Sequence, residues 1–239
     1  MTMQTIQYNP WPLGKLDEKL RRQEPYIIKD MGYQWEDPRD IIDIFEKKVA
    51  KFANSNYAVA VDSCTHAIEL CLRYLLKTKE LKKGDYVIIP KNTYVSVYIL
   101  LCNLGFNVKC SEYKWSGFYQ IINSRIIDSA VRWNDNMYIK DSLQCLSFQI
   151  KKRIPIGRGG MILCNDEKEY QWLKLARYDG RDLSTPYDSS GHVKFLGYHY
   201  YMTPEDAARG IILMDEIKTT GDTGSWENYP DIENMIKNI

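Results

Sequence analysis

The sequence alternates short apolar runs with helical stripes, and this alternation constrains the fold more than any other feature. Between residues 57 and 110, β-type runs at 57–61, 86–89 and 106–110 are separated by two segments with apolar residues at helical spacing. Such an order favours parallel strands joined by crossover helices. The sequence therefore predicts an α/β fold with a mostly parallel central sheet and helices on both faces.

Cap and proline signals mark both ends of the predicted domain. Asp37 and Pro38 supply an N-cap and a first-turn proline for a helix that reaches about residue 53. Thr203 and Pro204 begin the last long helix in the same way. The chain before and after these signals has weak periodicity. We therefore predict three parts, namely an N-terminal arm at 1–36, an α/β domain at 37–218 and a short C-terminal tail at 219–239.

The composition excludes several classes of protein. The 239 residues carry a formal net charge of +1, so no strong field is available for nucleic acid or a membrane surface. No apolar run is long enough to cross a bilayer, and residues 1–12 lack a signal-peptide pattern. The six cysteines occur singly, and His66, His192 and His199 have no metal-ligand spacing. We expect a cytoplasmic protein with no metal, nucleic acid or membrane partner.

The stretch at 147–160 carries the strongest chemical signal. A short apolar strand ends near Ser147, Lys151 and Lys152 follow it, and a glycine cluster closes the stretch at 157–160. Ligands of open α/β sheets collect at the C-terminal ends of strands. A lysine that is partly desolvated there becomes a nucleophile near neutral pH. A basic surface loop after an edge strand explains the same pattern, so the residues alone leave both interpretations open.

Three further features have both a chemical and a structural interpretation. The loop at 63–66 begins a helix, where free N–H groups bind phosphate, but Ser63 or Thr65 could equally act as a plain cap. Asp128 ends an apolar strand, and it is either a partly buried functional carboxylate or a loop cap. Tyr94 begins a helix, and it either stacks on a flat ligand or fills the core.

Taken in order, these segments resemble the sugar aminotransferases of the DegT/StrS kind. Those enzymes use pyridoxal phosphate (PLP) on the fold type I scaffold. YAVAVDSCTHA at 57–67 is similar to the family's strand, phosphate loop and helix, and SFQIKK at 147–152 with GRGG at 157–160 is similar to its lysine segment. The resemblance covers about residues 40–217 and includes GDYVIIP with NTYV at 84–95, IDSA at 127–130 and LGYHY with AA at 196–208.

The resemblance implies a role for each matching residue. Lys152 would form the Schiff base with PLP, and Asp128 would pair with the pyridine nitrogen. Tyr94 would stack on the ring. Adjacent residues of an extended strand point to opposite sides, so only one of Lys151 and Lys152 would face the site if the chain stays extended past Phe148. The residues expected to hold the phosphate are Cys64, Thr65, His66 and Ser147.

The implied reaction is transfer of an amino group, with glutamate as the expected donor, to a keto group of a nucleotide-linked sugar. The resemblance also implies a homodimer with the active site near the interface. Dehydratase relatives carry a histidine in place of the lysine, so Lys152 argues against dehydration. The alternative function is a degenerate relative that binds PLP or a sugar nucleotide and has no transaminase activity.

The sequence departs from the family pattern at several points. Cys64 stands where glycine is usual, and Arg158 replaces an acidic residue. The region at 111–125 is shorter than its counterpart in the family, which predicts the loss of a strand–helix unit. We expect a shortened member that has the large PLP-binding domain and lacks most of the small C-terminal domain.

Overall fold

A computed structural model describes residues 18–185 and 189–237. The helices are α1 (Glu24–Asp30), α2 (Pro38–Ala53), α3 (Cys64–Thr78), α4 (Val95–Asn103), α5 (Glu167–Ala176), α6 (Pro204–Glu216) and α7 (Ile232–Met235). The strands are β1 (Tyr57–Val61), β2 (Tyr86–Pro90), β3 (Asn107–Ser111), β4 (Tyr119–Gln120), β5 (Ile126–Asp128), β6 (Leu143–Ser147) and β7 (Gly160–Cys164). No helix among the described residues is long and apolar enough to cross a membrane.

The strands form one mixed layer in which most strands run in the same direction. A five-stranded sheet has the order β1-β7-β6-β5-β4, and β2 pairs with β3 in a second sheet. Ile88 of β2 and Ile122, which follows β4, exchange backbone hydrogen bonds of 3.3 and 2.9 Å that join the two sheets. The combined order is β3-β2-β4-β5-β6-β7-β1. Only β4 and β7 run against the other described strands, which confirms the predicted α/β class.

The reversal of β4 follows from its short connection to β5. Parallel neighbours need a crossover of about a dozen residues or more, and only residues 121–125 lie between β4 and β5. The connection therefore permits only a hairpin, in which Tyr119 pairs with Asp128 in antiparallel register. The described interval between β3 and β5 contains no helix, in agreement with the predicted loss of a strand–helix unit.

Helices cover both faces of the sheet because alternate strand residues face opposite sides. In β1, Val59 and Val61 belong to the core under α3, α4 and α5, whereas Ala58 and Ala60 belong to the core under α1, α2 and α6. The predicted cap of α2 is present, since Asp37 accepts a 2.8 Å hydrogen bond from the backbone of the first helical turn. This two-sided cover leaves the strand ends as the accessible edge of the sheet.

The N-terminal part contains a helix that the sequence pattern did not indicate. Residues 1–17 of the predicted arm lie outside the described residues, but α1 buries Ile28 completely in the core with α2 and α6. Arg22 forms an ion pair of 2.6 Å with Asp206 of α6. A helix of 7 residues is too short to be stable or periodic by itself, so packing determines its conformation. The boundaries of the three predicted parts stay a prediction.

Residues 218–237, which we call the post-α6 segment, return to the C-terminal edge of the sheet. Backbone hydrogen bonds contribute to its attachment, together with the packing of Trp226, Tyr229 and Ile232 against the core. Thr223 N donates to Val131 O at 2.7 Å, and Ile232 N donates to Lys91 O at 2.9 Å. The segment that the sequence showed as a weakly periodic tail is therefore part of the surface around the strand ends.

Candidate active site

A cavity lies at the C-terminal edge of the sheet, where the sequence predicted a ligand site. Its volume is about 680 Å³. The lining comes from the ends of β5 and β6, the N-termini of α3 and α4, the loop after β6 and the post-α6 segment. The predicted site residues that line it are Lys152, Asp128, Cys64, Thr65, Tyr94 and Ser147. The structure therefore brings all but one of the predicted residues together.

The N-termini of α3 and α4 form the polar end of the cavity. Ser63 caps α3 by accepting a hydrogen bond of 3.2 Å from His66 N, as the cap interpretation predicts. The Thr65 hydroxyl lies 2.8 Å from the Ser96 hydroxyl, so the starts of the two helices meet. Helix N-termini attract anions through their free N–H groups and dipoles. The meeting point fits a phosphate group, and Ser96 is a lining residue that the sequence interpretation did not include.

Gly160 lets β7 begin directly against the start of α3. A Cβ atom at this position would lie 2.4 Å from the carbonyl carbon of Ser63 and 2.6 Å from the backbone nitrogen of Cys64. No side chain can be accommodated at such distances, so the close approach requires glycine. The end of the glycine cluster therefore positions the helix N-terminus at the polar end of the cavity.

Asp128 supplies a buried carboxylate. Its Oδ1 accepts a hydrogen bond of 2.9 Å from Ala130 N, and its Oδ2 accepts one of 2.8 Å from the Tyr119 hydroxyl. Burial raises the pKa of Asp128 above its usual value, while these two hydrogen bonds and the charge of Lys152 oppose that rise. A carboxylate oxygen accepts more than one hydrogen bond, so Asp128 retains acceptor capacity for a ligand N–H.

Tyr119 is the most deeply placed residue that the sequence interpretation missed. It begins β4, and the reversed direction of that strand brings it beside Asp128 at the C-terminal edge. The Thr93 hydroxyl donates to Tyr119 Oη at 2.7 Å. The β-type run at 118–122, followed by Asn123 and a second run, is a hairpin signal that could have indicated the pairing.

Both lysines line the cavity, because the chain does not stay extended past Phe148, the condition under which only one of them would face it. β6 ends at Ser147, and the following turn is closed by a 2.8 Å hydrogen bond from Lys152 N to Gln149 O, so strand alternation no longer applies. Lys151 is exposed and Lys152 is half-buried. Burial lowers the pKa of Lys152, and the charge of Lys151 acts in the same direction. A larger fraction of Lys152 is therefore a neutral, nucleophilic amine near neutral pH.

Aromatic side chains form the walls of the cavity. Tyr94 is 61% exposed and lines the cavity, so it is not a core residue, which favours the stacking interpretation. Trp115 and Tyr229 also line it, with their ring centroids 5.6 Å apart. Burial and the charge of Asp128 raise the pKa of Tyr229 to about 12. The Tyr229 hydroxyl is therefore protonated at neutral pH and can act as a hydrogen-bond donor.

The post-α6 segment forms one side of the cavity. Asn92 Nδ2 holds it by donating to Tyr229 O at 3.0 Å. Its lining residues are Thr223, Gly224, Asn228, Tyr229 and Pro230. The sequence interpretation assigned none of them to the site, because no local pattern links this segment to the strand ends.

His66 is the predicted phosphate-binding residue that does not line the cavity. Its ring stacks on Tyr200 with a centroid separation of 3.7 Å, and its Nδ1 lies 2.5 Å from Asp62 Oδ1. Asp62 also pairs with Arg158 at 2.9 Å. The structure therefore places His66 in the packing around the start of α3 and places Arg158, a lining residue, at the exposed rim.

The fold places this chain in one class of proteins, those built on the PLP fold type I α/β scaffold. A family model described as the DegT/DnrJ/EryC1/StrS aminotransferase family matches residues 28–114 and 137–223. The chain therefore belongs to the DegT/DnrJ/EryC1/StrS aminotransferase family. Tyr119 and Asp128 fall between the two matched ranges, so the interpretation of these two residues depends on their geometry.

Several solved structures share the fold. A GDP-4-keto-6-deoxymannose-3-dehydratase with a trapped PLP-glutamate geminal diamine has a TM-score of 0.62 and 20% identity, over 85% of this chain and 67% of that chain. A sugar aminotransferase from Micromonospora echinospora has a TM-score of 0.63 and 12% identity, over 74% and 60%. A 3-amino-5-hydroxybenzoic acid synthase has a TM-score of 0.63 and 18% identity, over 84% and 62%.

These identities show the fold alone, and this chain spans roughly two thirds of the length of the solved relatives. No curated protein matches the sequence. Family membership and the PLP-bound neighbour point to pyridoxal phosphate as the cofactor. The cavity fits that molecule, because it combines an anion-binding end, a buried carboxylate with spare acceptor capacity and a lysine of lowered pKa.

Proposed function

We propose that this protein is a PLP-dependent aminotransferase that moves an amino group from glutamate to a keto group of a nucleotide-linked sugar. The observation that carries the proposal is the presence of Lys152 and buried Asp128 in one cavity, each with a pKa shifted by burial. Family membership supports the coarser activity, PLP-dependent chemistry on sugars. Lys152 favours transamination over dehydration, since the dehydratase relatives that the sequence resembles carry histidine there.

PLP, when bound, supplies an electron sink at the carbon that gains or loses the amine. Lys152 would capture the cofactor aldehyde and, once an amino donor has displaced it, would carry the proton between the reacting carbons. Asp128 would hold the proton on the ring nitrogen. Tyr94 would stack on the ring, and Thr65 with Ser147 would contact the phosphate.

The rim of the cavity supports an anionic substrate. Lys151 and Arg158 line it together with Lys152, and Asp128 is the one acidic residue among the described lining residues. The Asp128 carboxylate lies deep, whereas Lys151 and Arg158 are exposed. The diphosphate of a nucleotide-linked sugar, or the carboxylates of glutamate, would therefore meet complementary charge at the entrance.

The proposal includes a homodimer with the active site near the interface and a cytoplasmic location, within the biosynthesis of a surface polysaccharide or a modified sugar. The six cysteines are free thiols in the structure, which suits a reducing compartment. Light scattering of the purified chain with and without PLP tests the assembly. A monomer that captures PLP and turns over would contradict the dimer.

The central experiment is capture of PLP by the purified full chain. Borohydride should fix PLP covalently, and peptide mass spectrometry should locate it on Lys152. Adding glutamate to the loaded protein before reduction should change the visible absorption and release 2-oxoglutarate. A panel of nucleotide-linked keto sugars then identifies the acceptor by the mass of the aminated product.

Two outcomes would contradict the proposal in different ways. Failure to capture PLP would remove the cofactor assignment. Capture on Lys152 without any response to amino donors would instead favour the alternative function, a protein that binds PLP or a sugar nucleotide without transaminase activity.

A further inference from the structure

A buried chain of hydroxyl groups reaches Asp128 from the side of β4. The Thr93 hydroxyl donates to Tyr119 Oη at 2.7 Å, and the Tyr119 hydroxyl donates to Asp128 Oδ2 at 2.8 Å. The three side chains are 2%, 1% and 6% exposed, so water cannot substitute for these contacts. Nothing in the family resemblance assigns a role to Tyr119 or Thr93.

An ionised Asp128 carboxylate can only accept hydrogen bonds, so Tyr119 donates its single proton to Asp128 and its oxygen accepts the proton of Thr93. A hydrogen bond to an ionised carboxylate is stronger than a neutral one and stabilises the charged form. It therefore opposes the effect of burial, which favours the neutral acid. The Ala130 N–H fixes the other oxygen, so both edges of the carboxylate are held.

The hairpin explains why a tyrosine reaches this place. Tyr119 is the register partner of Asp128 across the β4–β5 pair, and β4 runs against β5 because the connection between them is short. A parallel strand entering from the opposite edge would present its last residue here, not its first. The shortened region therefore places the Tyr119 hydroxyl, a hydrogen-bond donor, next to the Asp128 carboxylate.

We propose that Tyr119, held by Thr93, is a positioning residue that keeps the Asp128 carboxylate ionised and oriented toward the ring nitrogen of the cofactor. This inference rests on the proposed function, because Tyr119 would support the role that the proposed function gives to Asp128. Tyr119 acts through Asp128 and need not touch the cofactor. Lys152 and Cys64 are the other titratable groups whose charges act on this cluster.

The test compares two ligands that differ at the ring nitrogen. One is PLP, and the other is its carbocyclic analogue, in which a C–H group replaces that nitrogen. In the full chain, Tyr119→Phe should weaken PLP binding on the order of tenfold, since hydrogen bonds to charged groups have about this effect. Binding of the analogue, measured by the same fluorescence titration, should be unchanged because it makes no bond to Asp128.

Tyr74→Phe is the matched control. Tyr74 is a buried tyrosine of α3 that lies outside the cavity, so its loss of a hydroxyl should leave both affinities unchanged. Thr93→Val provides a second variant that keeps Tyr119 in place. It should reduce PLP affinity in the same selective way but by less, and it decides the matter if Tyr119→Phe does not fold.

The outcomes separate this inference from the proposed function. If the unaltered chain binds neither ligand, the proposed function fails and the inference fails with it. If the chain binds PLP but the variants bind it equally well, only the role of Tyr119 is wrong. An equal loss of affinity for PLP and for the analogue would show that Tyr119 merely shapes the cavity, and this would also overturn the inference.

Discussion

The floor of the cavity and its post-α6 side are built by different means. We define the floor as Cys64, Asp128, Ser147 and Lys152. Asp128 and Ser147 end strands, Cys64 begins α3, and Lys152 lies in the turn after β6. The post-α6 side is irregular chain, attached through backbone hydrogen bonds to loops around the strand ends. Under the proposed function, the floor would carry the groups that react, whereas the post-α6 side would contact the substrate. The proposal thus assigns chemistry and selectivity to different parts of the sequence, and substitutions can test that separation.

The largest effect should come from the floor. Lys152→Ala removes the nucleophilic amine, so we expect loss of covalent PLP capture and a fall in transamination on the order of a thousandfold or more. Lys151→Ala is the matched control because both lysines line the cavity. It should keep capture, as measured by borohydride fixation and mass spectrometry. If capture survives in Lys152→Ala but not in Lys151→Ala, Lys151 and not Lys152 is the lysine that captures PLP.

The next largest effect should come from Asp128→Asn. The amide keeps the shape of the side chain but cannot carry the negative charge that would hold a proton on the ring nitrogen. We expect the rate of the half-reaction with glutamate to fall about a hundredfold in single-turnover measurements. Asp135→Asn, an exposed position, serves as the control. Equal rates for the Asp128 variant and the unaltered chain would show that the carboxylate has only a structural role.

A smaller and more selective effect should come from the post-α6 side. Tyr229→Phe keeps the ring contact with Trp115 and removes the hydroxyl of a residue that lines the cavity. We expect the KM for the sugar substrate to rise by about tenfold or less, with PLP affinity unchanged. Tyr86→Phe, on an exposed face of β2, is the control. If PLP affinity falls and the KM for the sugar does not change, the post-α6 side contacts the cofactor as the floor does, and the proposed separation is wrong.

The smallest effect should be a shift in pH dependence. Burial and the Lys151 charge lower the pKa of Lys152, so the neutral amine is present at lower pH than for an ordinary lysine. The rate of PLP capture should rise with pH through that pKa. Lys151→Ala removes a positive charge, so the pKa of Lys152 and the midpoint should move to higher pH, and capture at neutral pH should slow. Lys140→Ala, an exposed lysine elsewhere, should leave the midpoint in place.

The floor could be predicted from the sequence because its signals are local. β1 was predicted at its observed bounds, and Asp128 and Ser147 lie at strand ends as expected. A resemblance added roles to these positions without requiring a tertiary structure. The family model does not match 115–136, so even Asp128 was found from its place after an apolar strand and from the short IDSA motif.

The rest of the site could not be predicted because it depends on long-range pairing. Tyr119 reaches Asp128 only through the hairpin register, which a segment of two strand residues does not specify. Thr223 N donates a hydrogen bond to Val131 O, which is distant in the sequence, and no periodic pattern indicates this contact. The position of Lys151 could not be predicted because the sequence pattern does not show that the chain turns after β6. That turn is closed by a local hydrogen bond from Lys152 N to Gln149 O, whereas the other two features depend on distant segments.

The attachment of the post-α6 segment has a consequence for how the molecule moves. Ile232 is the one fully buried residue among the described residues 218–237, and Trp226, Tyr229 and Ile236 are only partly buried against the core, so less apolar burial opposes detachment of this stretch than of the sheet. Stability is distributed unevenly in proteins, and segments with few buried contacts open with a small free energy while the sheet stays folded. Amide hydrogen exchange at Thr223 should then be fast compared with β6 and β7. Such partial opening would expose one flank of the cavity and provide a route for large ligands to exchange without unfolding the sheet.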